Sequence, residues 1–180
     1  MDCLIIPMLP NHWPAVREIY GQGIATGNAT FATEVPDWAQ WDSSHRKNCR
    51  LVAVEPNDND EQRTEPLTSS SERNVLGWAA LTPVSARLVY AGVAEVSVYV
   101  APVARGRRIG STLLRVLVQE SEANGIWTLQ AGIFPENAAS IGLHESCGFR
   151  KVGVRRRIGK MGAVWRDVLL LERRSSIVGV

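Results

Sequence analysis

The run Ala94-Glu95-Val96-Ser97-Val98-Tyr99-Val100, followed by Ala104-Arg105-Gly106-Arg107-Arg108-Ile109-Gly110-Ser111 and an apolar-periodic segment to about Val118, reads as strand, Arg/Gly turn and helix. That order brings the unpaired N–H groups and the positive dipole end of a helix to one point, where they can hold a phosphate. Glu95 sits upstream on the same strand. A phosphate cradle beside a strand-borne carboxylate implies a nucleotide-like cofactor next to a general base.

The remaining composition narrows the class. With 180 residues, 45% apolar and 21% charged, the chain is expected to form a single soluble domain, 1–180, able to bury a proper core. A net charge of +2 is too small to argue for nucleic acid, and the basic residues fall mainly in two short clusters, Arg105 to Arg108 and Arg150 to Arg157. The six tryptophans have no basic stripe beside them and read as core or interface. Cys3, Cys49 and Cys147 lack pairing or metal-type spacing, which fits a reducing cytoplasm and no metal site. Met1 to Pro7 has neither the basic region nor the apolar length of a signal peptide or membrane span, and is expected to be a first strand.

Leu4 to Met8 is strand-like. Trp13, Val16, Ile19 and Tyr20 recur at helical steps, with Gly21, Gly23 and Gly27 expected to loosen or end that helix. Ala29 to Phe31 is expected to be extended. Pro36-Asp37 opens a short helix through Trp38 and Trp41. Leu51 to Val54 and Val75 to Leu81 fit neighbouring antiparallel strands. Between them, 55–74 is rich in Asp, Glu, Ser and Pro, with little apolar surface to offset its ordering entropy, so a flexible surface insertion is expected. In the second half, Ala91 to Val100 and Thr128 to Ile133 read as strands. Gly110 to Asn124 and a helix capped by Asn137 and ending near Cys147 lie after them. Lys151 to Ile158 and Val164 to Glu172 form a closing strand pair around Gly159 to Gly162. Crossover helices in the centre and hairpins outside give an α+β class.

Val98 to Pro102 followed by Arg105 to Gly110 resembles the acetyl-CoA loop of the GNAT superfamily of N-acetyltransferases, written Gln/Arg-x-x-Gly-x-Gly/Ala. Arg108 stands where the first glycine is usual. The likeness extends to Phe31-Ala32-Thr33-Glu34, Arg87 with Tyr90, Ala94-Glu95, Pro135-Glu136-Asn137 with Ser140, Leu143-His144-Glu145, Gly148-Phe149 and Trp165-Arg166-Asp167. Together these resemble the phosphinothricin branch, whose members acetylate the α-amino group of small glutamate-like amino acids such as phosphinothricin, methionine sulfoximine or arsinothricin. The resemblance implies the GNAT acyltransferase fold with a mixed central β-sheet flanked by helices, acetyl-CoA as co-substrate without a metal, and a homodimer.

The resemblance also implies roles residue by residue. Glu95 becomes the general base, although a strand carboxylate alone could equally face solvent. His144, in place of a tyrosine usual in GNAT enzymes, would protonate the departing thiolate; a single helical histidine is otherwise a packing or surface residue. Val98, Val100, Arg105, Gly106, Arg107, Arg108, Gly110, Ser111 and Asn137 would hold the cofactor, where the arginines could otherwise be a solvated turn and Asn137 a helix cap. Phe31, Arg87 and Tyr90 would hold the substrate; a core aromatic and a solvated arginine are the plain alternatives. Ser85 stands where the branch often has lysine. Cys147 is read as packing. Acetylation of another amine or a protein amino group, or a non-catalytic acetyl-CoA-binding module, are the competing functions.

Overall fold

A computed structural model describes residues 3–57 and 73–180. They form one seven-stranded sheet in the order β1-β2-β3-β4-β5-β7-β6, made of β1 (Leu4–Pro7), β2 (Arg50–Val54), β3 (Val75–Pro83), β4 (Val93–Val100), β5 (Thr128–Ile133), β6 (Arg150–Met161) and β7 (Val164–Arg174). Every neighbouring pair is antiparallel except β4 and β5. Parallel pairing demands a crossover, and α3 (Ile109–Ala123) supplies it. The helices α1 (Trp13–Ala25), α2 (Trp38–Ser44) and α4 (Ala138–Ser146) complete the mixed α+β architecture.

Tyr99 and Val100 are consecutive on β4 and point to opposite faces, Tyr99 against Gly23 of α1 and Val100 against Gly110 of α3. The two helices therefore cover opposite sides of the sheet. On the α3 side Leu113, Leu114 and Leu117 are buried. On the α1 side Trp41 and Trp78 are buried to 0% and 1% exposure, and Trp78 stacks on Tyr99 with centroids 4.7 Å apart. These tryptophans serve the core.

Helix ends follow local chemistry. Asp37 Oδ1 accepts from the Gln40 N–H at 2.8 Å, while the Gln40 side chain accepts from the Asp37 N–H at 3.1 Å, a reciprocal cap that starts α2. Asn137 Oδ1 accepts from the Ser140 N–H at 3.1 Å and starts α4.

Three local expectations need correction. α1 runs through Gly21 and Gly23, because a Cβ at Gly23 would lie 2.7 Å from the Tyr99 ring and only glycine allows that approach; the helix ends at Ala25, before Gly27 at φ 63°. Ala29 to Phe31 belongs to no strand; its turns are closed by side-chain hydroxyls, Thr26 for Asn28 and Thr30 for Ala32. The closing strands meet across Gly162 and Ala163 alone, and Gly159 lies within β6, where its bare Cα makes room for the Phe31 ring. Of the 55–74 segment, 58–72 lies outside the described residues; its stems are joined by the Glu55 N–H donating to the Asn74 carbonyl at 3.1 Å.

Candidate active site

β4 and β5 pair only from Val93↔Thr128 to Glu95↔Gln130 and then part. The Ala101 N–H donates to the Leu76 carbonyl on the β3 side. In an antiparallel ladder the main-chain groups alternate sides, so the N–H groups of Val98 and Val100 point the other way, into the gap left by β5. Those donors open onto a cavity of about 780 Å³.

The far wall of that cavity is the turn into α3, with Arg105, Gly106, Arg108, Ile109, Gly110 and Ser111 lining it. Arg108 adopts φ 59°, a left-handed conformation that glycine reaches without steric cost, which explains why glycine is usual there. Its carbonyl accepts from the Thr112 N–H at 3.0 Å and from the Ser111 and Thr112 hydroxyls. The preceding N–H groups of the first helical turn have no intrahelical acceptor. Gly110 lets α3 close in, since a Cβ there would meet Leu143 at 3.3 Å and Val100 at 3.4 Å. Arg107 is absent from the lining and forms an ion pair with Glu55 at 3.9 Å.

Glu95 lies on the α1 side of the sheet, lines the cavity and is exposed to it; Gln130 Nε2 donates to its Oε2 at 3.4 Å. Phe31 lines the same end, set edge-on to Phe134 at 4.8 Å. Asn137 and His144 also contribute to the lining. His144 is only 4% exposed, and burial pushes its imidazole below the ordinary range, opposed by a hydrogen bond with a backbone carbonyl. That carbonyl, Ser140 at 2.8 Å, can only accept, so Nδ1 carries the proton and the buried Nε2, without a partner, is left with its lone pair. Arg87 and Tyr90 are not brought to the cavity. The Arg87 guanidinium lies 5.6 Å from the Tyr90 ring on an exposed turn, Leu88–Tyr90.

Several lining residues carry no mark in the sequence: Thr26, Asn28, Thr30, Gly132 and Val168. Thr26 to Thr30 follow the end of α1, where Gly27-Asn28 signals a turn but not what the turn covers. Tyr99 also reaches the cavity, and its hydroxyl is held protonated chiefly by burial, with the neighbouring Tyr20 adding to the effect.

Residues 29–149 match the profile of the Acetyltransferase (GNAT) family. The chain is 31% identical over 172 residues to the phosphinothricin N-acetyltransferase of Alcaligenes faecalis, covering 95% of this chain and 82% of that protein. The chain belongs to the GNAT acetyltransferase family. Among solved structures, a GNAT superfamily phosphinothricin acetyltransferase from Sinorhizobium meliloti in complex with AcCoA superposes with a TM-score of 0.80 at 25% identity, over 99% of this chain and 91% of that one. A ribosomal-protein-alanine N-acetyltransferase from Brucella melitensis gives 0.79 at 29% identity, over 96% and 99%.

As a GNAT enzyme the protein is an acetyl-CoA-dependent N-acetyltransferase, and the cavity suits that co-substrate. Free strand donors at Val98 and Val100 lie beside a helix start flanked by Arg105 and Arg108, the donor set that a thioester carbonyl and a pyrophosphate require. Among the described residues no group of three or more His, Cys, Asp or Glu could hold a metal ion, and no helix is long and apolar enough to cross a membrane.

Proposed function

We propose that this enzyme acetylates the α-amino group of a small amino acid of the phosphinothricin or methionine sulfoximine type by direct attack on acetyl-CoA. The observation that carries the reading is the gap between β4 and β5, which puts the Val98 and Val100 donors and the Glu95 carboxylate into one cavity. Arg105, Gly106, Arg108, Gly110 and Ser111 hold the pyrophosphate and Asn137 the pantetheine arm, while Phe31 faces the acceptor. Arg107, turned toward Glu55, is assigned no phosphate contact. The likeness to the Alcaligenes phosphinothricin enzyme supports the acceptor class.

An amino acid reaches the cavity as an ammonium. Glu95 removes one proton, directly or through a water, and the freed nitrogen lone pair attacks the thioester carbon. Strand N–H groups receive the developing oxyanion. The nitrogen gives up its second proton as the C–S bond breaks and the amide forms. The net proton released is the one Glu95 removed, since the thiolate takes up one proton. His144 can give that proton from Nε2 only as the imidazolium, a form that burial opposes, so its contribution is minor at neutral pH and larger in acid. Arg87 and Tyr90 join acceptor binding only if their turn or a second protomer brings them to the cavity.

A homodimer in a reducing cytoplasm completes the reading. Val152, Val154, Ile158, Val164 and Trp165 stand exposed on the β6–β7 hairpin, apolar surface of the kind a partner covers. Sedimentation velocity reads the dimer.

The deciding measurement is CoA release over a panel of phosphinothricin, methionine sulfoximine, simple amines and peptides with a free N-terminal alanine. The proposal expects the amino acids to lead by at least tenfold in kcat/KM. The Brucella enzyme's likeness makes the peptide arm meaningful, and a peptide preference would replace the small-molecule reading.

A further inference from the structure

Arg166, on β7, does not line the cavity, yet it reaches the loop that does. Its guanidinium donates to the Gly27 carbonyl at 3.2 Å, to Asn28 Oδ1 at 2.9 Å and to Glu136 Oε2 at 3.3 Å. The same group lies 4.1 Å from the centroid of Phe134, the ring against which Phe31 is set edge-on. Its side chain is 18% exposed, so its contacts with Gly27 and Asn28 are largely withdrawn from water, while Glu136 remains exposed. Loop 26–31 has no strand partner. Asn137 Nδ2 donates to the Asn28 carbonyl at 3.1 Å, and Tyr99 shares a hydrogen bond with Thr30. Arg166 thus grips the loop at Gly27 and Asn28, packs over the Phe134 ring, and ties both to Glu136, the residue before the cap of α4.

We propose that Arg166 is a positioning residue for the acceptor. It seats loop 26–31 and the Phe31–Phe134 pair at the acceptor end of the cavity, and so sets affinity for the amine without touching acetyl-CoA. A planar fork is required, because one group must meet two loop oxygens and stack on a ring; a lysine ammonium can satisfy one of these demands at a time. The inference rests on the reading that the Phe31 end of the cavity takes the acceptor.

Arg166→Met and Arg166→Lys test it, with methionine sulfoximine as acceptor and acetyl-CoA binding followed by calorimetry. Arg166→Met is expected to raise acceptor KM by about tenfold or more, with kcat held within about threefold and acetyl-CoA affinity within about twofold, and Arg166→Lys to recover only part of the loss. The Phe31→Ala and Arg166→Met effects on acceptor KM should fall short of additive, since both act through one wall. An unchanged acceptor KM, equal losses for both substrates, full rescue by lysine, or simple additivity overturns the assignment. Amide hydrogen exchange in the unliganded protein gives a second reading: Arg166→Met should speed exchange across 27–32 and leave β3 unchanged. If the parent acetylates nothing in the panel, the acceptor reading fails, and the exchange result still decides whether Arg166 seats the loop.

Discussion

The end of the cavity proposed for the cofactor comes from one continuous run, β4 through the start of α3, with Asn137 and His144 added from the cap and body of α4, whereas the end proposed for the acceptor gathers loop 26–31, Glu95, the end of β5 and Val168 of β7. The first end depends on local chemistry: a strand edge, an Arg/Gly turn and a helix start arrive in order because they are adjacent in sequence. The second depends on packing between segments more than a hundred residues apart, such as Arg166 on Gly27 and Asn28. A local site tolerates drift elsewhere in the sheet. An assembled one changes whenever any of its supports moves, so on the proposed assignment acceptor preference varies there over a constant cofactor platform.

Glu95 lies where the two ends meet, and its removal gives the largest expected effect. Glu95→Gln keeps shape but cannot take the ammonium proton, so kcat should fall by roughly 10²–10⁴-fold while calorimetry finds acetyl-CoA binding intact. Parent-level turnover of this variant would end its role as base.

Next come the two neighbouring arginines. Arg108 lines the cavity and Arg107 faces Glu55, so Arg108→Ala should weaken acetyl-CoA binding by about ten- to a hundredfold through loss of a charged contact to phosphate. Arg107→Ala should change it by less than about threefold, as expected for an exposed ion pair. Equal losses would mean that the turn rearranges when the co-substrate binds.

Phe31→Ala probes the assembled end alone. Loss of the edge-to-face contact and of the wall it forms should raise acceptor KM by about three- to tenfold with acetyl-CoA KM unchanged, read from initial rates varied in both substrates. A change confined to acetyl-CoA would exchange the roles assigned to the two ends.

The smallest effect concerns pH and, apart from His144, lies outside the cavity. Burial holds the imidazoles of His12, His45 and His144 below the ordinary value of 6.5. As pH falls through about 6.5 the unfolded chain takes up protons before the folded one does, so stability is lost toward acid and regained toward neutrality. Each group can contribute up to about 1.4 kcal/mol per pH unit in that window, and the slope flattens once the folded imidazoles also protonate. Tm measured from pH 5 to 7.5 should rise with pH, and His144→Gln should make the rise shallower. An unchanged slope in that variant would show that His144 is not buried neutral in solution.

Much of the architecture was legible because it rests on short-range rules. Alternation along β4, apolar spacing in α3 and the cap at Asn137 act within a few residues, and the structure contains all of them. The Val98 and Val100 donors also follow from sequence order once β4 and β5 run parallel and part after Glu95. What the sequence could not specify is distance between remote segments. Gly23 continues a helix because Tyr99 needs the space of a missing Cβ, and Gly159 extends a strand because Phe31 does. Arg107 and Arg108 are adjacent and the family resemblance assigns both to the cofactor, yet Arg108, at a left-handed φ of 59°, lines the cavity while Arg107 pairs with Glu55. The sequence by itself determined the order of elements, the α+β class and the strand–turn–helix run proposed to hold the cofactor, since those depend on backbone hydrogen bonding and periodicity between near neighbours. Tertiary structure alone decided the cavity wall proposed for the acceptor and left Arg87 and Tyr90 outside the cavity, because contact between residues far apart in the chain is set by how the whole sheet packs.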